Sequence, residues 1–464
     1  MIPSLGMNFG FLQSLVIAQL TVLGSMALFA RHLPPQANFL VVTCACLTGI
    51  IIFYLAYARK ALGRSCLGIV LCAFLLRVLV GAVHYLLLQD PNYFAHPSQY
   101  ALAWDWEWMH QSMLFVANEF RNYGFLAKLP KWYWLENKNA YLLAYDALLY
   151  YFSGDYVLNI APWNSLHIIY TGYIVGAIAL QCGCSRKQAL VALTLAVFQP
   201  FGFISTLMER DFVGQAWIAL AVYLVLVAQA RTWLLLCVLP ISGFLAYCQR
   251  QPYLAVILVG AACLYVINKH KNPTAVIAAI GVAIVLFFRY NLRSVMYQEA
   301  FSRYSGSAHF GKHLVTSYIP HRSIMLPLLF IRAIMGPFPW FQIFDKNIVD
   351  YLYMPEAFLQ SVFNVALMLT VFPLAWQEWK RDKKIDPAFL FGLLFFLTAL
   401  LSFGVHSGYV TIGMIFFMPL ASRAGLGKFK KYLMGSAIFF LGANIGYWLL
   451  GLKGSAILQG ITGY

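Results

Sequence analysis

Charge is scarce in this sequence. Only 10% of the 464 residues are Asp, Glu, Lys or Arg, while 61% are hydrophobic and the mean hydropathy is +0.72. Soluble globular domains carry about 25% charged residues, so this composition does not build a water-soluble fold. Acids are scarcer still, 16 against 32 Lys and Arg, which leaves a formal charge of +16. In a soluble chain that surplus would point to nucleic acid. Here orientation in a bilayer, anionic headgroups and a phosphorylated substrate account for it, and no nucleic-acid partner is expected. Of the nine cysteines, Cys44, Cys46, Cys66, Cys72, Cys237 and Cys263 sit inside apolar runs, and Cys182-Gly-Cys184 lacks the second pair that a zinc site needs. The first apolar run has neither a basic n-region nor a small-residue cleavage site, so it reads as a retained helix. Internal repeats, low-complexity tracts and long linkers are also missing. Residues 1–464 therefore read as a single integral membrane domain without the inverted repeats of many transporters.

What the sequence has instead is long apolar runs, continuous and not alternating, which predict helices and not a barrel. Spans are expected at about 11–30, 37–57, 66–88, 162–180, 188–207, 212–230, 232–247, 252–268, 274–289, 357–377, 386–404, 408–422 and 432–451. The predicted fold is all-α, a polytopic transmembrane helical bundle of about 13 spans. Lys and Arg in short loops stay on the cytoplasmic side. That rule groups Arg59, Lys60 and Arg64 with Arg186 and Lys187, Arg231, Lys269 and Lys271, Lys380 to Lys384, and Arg423 to Lys431, with Arg31 in the first short outer turn as the one exception, outweighed by these six clusters. The multi-pass chain is thus expected in a cell's cytoplasmic (inner) membrane, with two large extracytoplasmic loops, 89–161 and 290–356. The apolar stretch Ser323 to Phe341 contains Arg332, Pro327, Pro337 and Pro339, and reads as a re-entrant segment within the second loop.

Acid–base chemistry then belongs outside, because the acids from Asp90 to Glu356 fall in the outer layer. The densest candidate is Trp104-Asp105-Trp106-Glu107-Trp108-Met109-His110. On a helix Glu107 and His110 share a face, as do Trp104 and Trp108, while Asp105 and Glu107 point apart. A carboxylate among aromatic walls can act as general base toward a sugar hydroxyl, and tryptophan faces suit sugar rings. An interfacial helix with its tryptophans at the headgroups is the bland alternative. Glu107 and His110 also have a spacing that can hold a divalent metal, but no metal is named and no other cofactor is expected. Glu209-Arg210-Asp211 places three charges between apolar runs, where Arg210 can clamp a phosphate while Glu209 or Asp211 holds it in place, or where a solvated turn suffices. Arg250, in Gln249-Arg250-Gln251-Pro252, suits a lipid phosphate or a headgroup contact. Arg77 and His84 share a face of the third span; a buried arginine there is either the structural partner of an outer acid or part of the site, and the structural role is the simpler one.

On these residues the chain resembles the bacterial polytopic glycosyltransferases of the GT-C class, in the dolichyl-phosphate-mannose mannosyltransferase-like branch. The resemblance runs from about 72 to 255, through LLRVLVGAVHYLLLQD, Asp105 and His110, NAYLLAYDALLYYFSGD, NIAPWNSLHIIYTGYIVGAIAL, FQPFGFISTLMERD and QRQPY. It implies a polyprenyl-phosphate-linked sugar as donor and an outer-loop acid as base. Asp105 would match that acid, His110 the histidine after it, and Arg210 with Asp211 the charged end of the later span. Two spans precede the helix that usually comes first, and Trp-Asp-Trp-Glu-Trp replaces a less aromatic stretch, so Asp105 and Glu107 both stay open as the base. The expected function is transfer of a sugar to a hydroxyl of a glycan, lipid or protein acceptor, as in polysaccharide biosynthesis at the cell envelope, with membrane lipid as the other partner. A repeat-unit polymerase or ligase of surface polysaccharide is one alternative, favoured by the basic second loop. A transporter or lipid flippase is another.

Overall fold

In the computed structural model the described residues are 9–30, 32–88, 100–124, 140–200, 211–229, 231–269, 348–382, 384–402 and 407–449. Every regular element among them is helical. They fall into two compact units, residues 1–258 and 259–464.

The first unit begins with α1 (Phe9–Phe29) and α2 (Pro35–Phe53), which continues through a π-helical turn at Tyr54–Ala58 to Ala61. Next come α3 (Ser65–Leu88), α4 (Tyr100–Tyr123), α5 (Ala140–Ser153), α6 (Ile160–Gln181), α7 (Arg186–Val197), α8 (Asp211–Ala228) and α9 (Thr232–Gln249). α10 (Gln251–Lys269) starts here and crosses the division between the units. Segment 89–161, expected as an outer loop, therefore carries two long helices, α4 and α5. α6 is the axis of the unit, with α2, α3, α7 and α8 packed around it. It is buried from Ile160 to Ala179. Enclosure on all sides explains why α6 carries Asn164, Ser165, His167 and Thr171: none of its faces has to meet hydrocarbon. Close approach is made possible by Gly172 and Gly176. A Cβ at Gly172 would lie 2.3 Å from Val197 Cγ1 of α7, and one at Gly176 would lie 3.2 Å from Leu62.

Two polar contacts mark opposite ends of this unit. Asn159 Nδ2 donates to Asn38 Oδ1 (2.7 Å), and Asn38 Nδ2 donates to Ala30 O (2.9 Å) and to Ser153 O, so the start of α2 meets the α5–α6 junction. Gly154, at φ +83°, closes α5 there by donating its N–H to Tyr150 O (2.9 Å). At the far end of α2, Arg186 Nε donates to Ala61 O (3.1 Å), which gathers the Arg59–Arg64 and Arg186–Lys187 clusters in one place. Asn38 and Ala61 are about 35 Å apart along α2 at 1.5 Å per residue, a little more than a bilayer's hydrocarbon core.

In the second unit α11 (Ile348–Asp382) packs on α14 (Met418–Ala424) and α15 (Leu426–Leu449), and α12 (Pro387–Ser402) packs on α13 (Ser407–Met414). A single span was expected over 408–422. Pro419 clashes with the carbonyl four residues back, and the chain tightens to a 3₁₀ turn at Ile415–Phe417. Gly413 allows its backbone close to α12, since a Cβ there would sit 2.8 Å from Phe396 N. Arg423 bridges Glu378 (3.0 Å) and Asp386 (2.7 Å), and Asp386 Oδ1 caps α12 by accepting from Phe389 N (3.0 Å).

Five helices among the described residues are long and apolar enough to cross a membrane: Gly10–Phe29, Pro35–Ala61, Ser65–Val83, Thr232–Gln249 and Phe358–Asp382. Four shorter apolar helices accompany them. Their outward faces carry Leu20, Leu28, Leu79 and Leu236, all more than half exposed. A lipid-facing surface looks like this. The fold is compatible with a multi-pass membrane protein. The expected span 274–289 and the second loop with its re-entrant segment lie outside the described residues, save for the helical start of α11.

Candidate functional site

α4 carries the sequence-predicted acids and is held against α5 by named contacts. His110 Nδ1 and the Tyr150 hydroxyl share a hydrogen bond of 2.8 Å. One face of α4, Met113, Val116, Ala117 and Phe120, is buried, and Arg121 donates to Tyr150 O and to Asn118 Oδ1 (2.9 Å). Glu107 precedes His110 by three residues, so the helix puts the two positions on one face, as the sequence reading expects. The side chains of Trp104, Asp105, Glu107 and Trp108 lie outside the described ones.

Behind α5 lies a polar cluster that sequence reasoning did not single out. Asp146, only 2% exposed, accepts from Trp163 Nε1 of α6 (2.9 Å). His167 Nδ1 is 2.8 Å from Trp163 O, and His167 Nε2 is 2.9 Å from the Tyr145 hydroxyl. A carbonyl oxygen only accepts, so the Nδ1 position carries the proton, Nε2 is the acceptor and Tyr145 donates. The Trp217 ring of α8 closes the cluster edge-on against Tyr145, with centroids 5.2 Å apart. α5 thus presents Tyr150 to α4 and Tyr145 with Asp146 to the α6–α8 face. One signal was available: Asp146 interrupts the apolar stretch of α5, and a lone acid in such a helix needs a partner. The same end holds Tyr156, edge-on to Tyr85 at 6.0 Å; burial first, and the Tyr85 hydroxyl second, keep its phenol above the usual range.

The second candidate region is where α7 stops. A span was expected over 188–207, but the helix ends at Val197 after 12 residues. Pro200 disfavours helical backbone at Gln199 and so ends the helix before it. Val197 stands level with Gly172, about 18 Å along α6 from Ile160 and about 14 Å from Gln181 at 1.5 Å per residue. α7 therefore ends part-way along α6, beside its buried middle. Its terminal carbonyls meet Arg77 of α3: Nε donates to Val197 O (3.2 Å), and Nη2 donates to Val197 O (3.0 Å) and Gln199 O (3.1 Å). Arg77 is fully buried, and the helix C-terminus, where partial negative charge gathers, gives its guanidinium a partner. A structural Arg77 was expected to be the partner of an outer acid; among the described contacts its partners are the carbonyls of Val197 and Gln199. The His84 side chain lies outside the described ones.

α8 starts on the far side of this break, with Phe212 packed on Ile168 of α6. Asp211 is its first residue. The Asp211 side chain, Glu209 and Arg210 lie outside what is described. Arg250 is half-buried at the α9–α10 joint in extended backbone; its N–H donates to Ala246 O (3.1 Å) and its carbonyl accepts from Tyr253 N (2.9 Å). Gln249 rests against Gly214, where a Cβ would fall 1.8 Å from Gln249 Oε1. The turn carrying Arg250 thus belongs with the start of α8. The structure brings His110 to α5 and the end of α9 to α8, but it does not bring His110 and Arg250 into contact.

No family model, curated protein or solved structure matches this chain. The functional reading therefore rests on the residues themselves. Among the described residues no group of three His, Cys, Asp or Glu side chains is placed to hold a metal ion. The Glu107 carboxylate, whose spacing from His110 can hold a divalent metal, is not among those side chains.

Proposed function

We propose that this chain is a membrane glycosyltransferase that moves a sugar from a polyprenyl-phosphate-linked donor to an acceptor hydroxyl on the extracytoplasmic face of the cytoplasmic membrane. One observation carries the reading furthest. α4, with Asp105 and Glu107, is fastened through His110 to Tyr150, one turn from the Ser153–Asn38 contact, while the basic clusters gather at the opposite end of α2. Acid-bearing and basic ends on opposite sides are what an outward-facing site and the positive-inside rule together require. In the reaction, Asp105 or Glu107 takes the proton from the acceptor hydroxyl. The freed oxygen attacks the anomeric carbon, the bond from that carbon to the phosphate oxygen breaks, and polyprenyl phosphate leaves with the electron pair. Arg210 and Arg250 are the residues offered for the departing charge.

The interruption of α7 beside the buried middle of α6 favours one other reading, a transporter or lipid flippase, since discontinuous helices are common in substrate sites of such proteins. One assay separates them. Purified full-length protein is given a panel of polyprenyl-phosphate-linked sugars with glycan and lipid acceptors, and both products are measured. The transferase reading expects a new glycosidic bond and free polyprenyl phosphate in equal amounts. A repeat-unit polymerase releases a diphosphate carrier, and a flippase makes no bond. Asp105→Asn or Glu107→Gln, whichever removes the base, should lower transfer by about two to four orders of magnitude without loss of membrane insertion. Full activity in both variants would put the base elsewhere.

A further inference from the structure

The basic end of the first unit gathers cations without supplying them a counter-charge. Arg186 Nε donates to Ala61 O (3.1 Å), and Arg186 Cδ lies 3.8 Å from where a Cβ on Gly63 would stand. Arg186 and Lys187 of α7 therefore sit against the α2–α3 joint, which carries Arg59, Lys60 and Arg64. All five side chains are exposed, and among the described residues none of them pairs with an acid. The acids of this unit whose side chains are described, Glu119, Asp146 and Asp155, belong to α4, α5 and the α5–α6 joint, toward the Asn38 end of α2. The second unit meets its arginines differently: Arg381 pairs with Asp382 (2.8 Å), and Arg423 with Glu378 and Asp386.

Like charges this close in the chain repel, and the joint that bears them is fixed. Leu62 N donates to Ala58 O (2.7 Å), the Tyr54 hydroxyl donates to Arg64 O (3.4 Å), and Arg186 is tied through Nε alone. Both Nη groups of Arg186 remain for an acceptor from outside, and a planar fork suits phosphate oxygens. Beside the cations the surface turns apolar. Ile51 and Leu55 are exposed on α2 just before Arg59 and Lys60. An acidic protein or a nucleic acid has no use for that apolar strip, whereas a molecule with acyl chains and an anionic head matches both parts.

We propose that the α2–α3 joint and Arg186 with Lys187 bind the headgroup of an anionic glycerophospholipid, its phosphate on the Arg186 fork and its acyl chains along Ile51 and Leu55. The site stands at the end of the unit away from the acids of α4 and does not depend on the transferase reading.

The test uses full-length protein in phosphatidylcholine nanodiscs, with phosphatidylglycerol added stepwise. Binding is read as the rise in melting temperature with anionic lipid and as lipid retained in native mass spectrometry. Lys60 and Lys187 make no hydrogen bond or ion pair with the described residues, so Lys60→Gln/Lys187→Gln should fold as wild type does. It should bind phosphatidylglycerol about 25-fold more weakly, about fivefold for each charge removed. Arg186→Lys keeps the charge but loses the fork, and should bind about tenfold more weakly. The control Lys428→Gln/Lys430→Gln removes two exposed charges from the second unit and should leave binding unchanged. Equal losses from the two lysine pairs would mean diffuse attraction to an anionic surface and would overturn the site. So would equal stabilisation of wild type by the two lipids, or undiminished binding by Lys60→Gln/Lys187→Gln. Inorganic phosphate is expected to give no rise, and a rise as large as that from phosphatidylglycerol would make the occupant a small anion and remove the lipid.

Discussion

Arg77 illustrates how much one side chain settles. A guanidinium in the interior of an apolar bundle is expensive unless its donors are met, and here α7 supplies carbonyls that its own helix cannot satisfy. The two needs cancel because the helix ends where the arginine is. Arg77→Ala should leave Val197 O and Gln199 O unmet in the core and destabilise the protein by about 2–6 kcal/mol, given about 1–3 for each stranded group. Arg77→Lys keeps the charge but not the fork, and should fall between. Thermal unfolding of detergent-solubilised protein measures both, and a wild-type melting temperature for Arg77→Ala would mean that those carbonyls have other partners. Asp146 follows a similar logic. Asp146→Asn keeps an oxygen for Trp163 Nε1 and should cost little, whereas Asp146→Leu strands that donor in a buried site and should lower the melting temperature clearly.

At the scale of elements, several apolar spans were legible because hydrocarbon demands long uninterrupted runs, and α1, α2, α3 and α9 begin and end within a few residues of where those runs do. The role of α6 was not legible. Hydropathy records what a helix is made of, not what surrounds it, and the polar residues of α6 are explained only by its enclosure. The early end of α7 was half legible: Pro200 interrupts the apolar run, but the residues after it, Phe201 to Leu207, read in sequence as a continuing span. In the candidate site, position separated what could be read from what could not. Asp105, Glu107 and His110 stand out because they cluster in sequence, whereas Tyr145, Asp146, Trp163 and His167 meet only through the packing of α5 on α6. The α6–α7 contact offers a test of packing itself. Gly172→Ala forces a methyl against Val197, next to the carbonyl that Arg77 holds, and overpacking of this kind costs about 1–3 kcal/mol. Val197→Ala opens room at the same spot. The double variant Gly172→Ala/Val197→Ala should therefore be more stable than the sum of the single effects predicts, and simple additivity would mean that the helices yield elsewhere.

For the molecule as a whole, the question is which way the two ends of the first unit face. α2 spans the unit from the Asn38 contact to the Ala61 contact, and the charges are divided between those ends: Arg59, Lys60, Arg64, Arg186 and Lys187 meet at one, and the other carries the uncharged Asn38, Ser153 and Asn159 network with α4 beside it. Lysine and arginine retained on the cytoplasmic side would put the Ala61 end inside and the acids of α4 outside. Lys60 and Lys187 are exposed at the first end, and Gln36 is exposed at the second. Single cysteines at these positions, in a background lacking the nine native ones, should divide by reactivity toward an impermeant thiol reagent applied to intact cells. Gln36→Cys is expected to label without permeabilisation, and Lys60→Cys and Lys187→Cys only after it. In the second unit, Lys384→Cys should behave like Lys60→Cys on charge grounds alone, since Lys380, Arg381 and Lys384 form its basic cluster. Labelling of Lys60→Cys and Lys187→Cys from outside would invert the first unit. Asp105 and Glu107 would then face the cytoplasm, where soluble nucleotide sugars are at hand and a polyprenyl-linked donor loses its rationale, so this one experiment bears on the chemistry as directly as on the orientation.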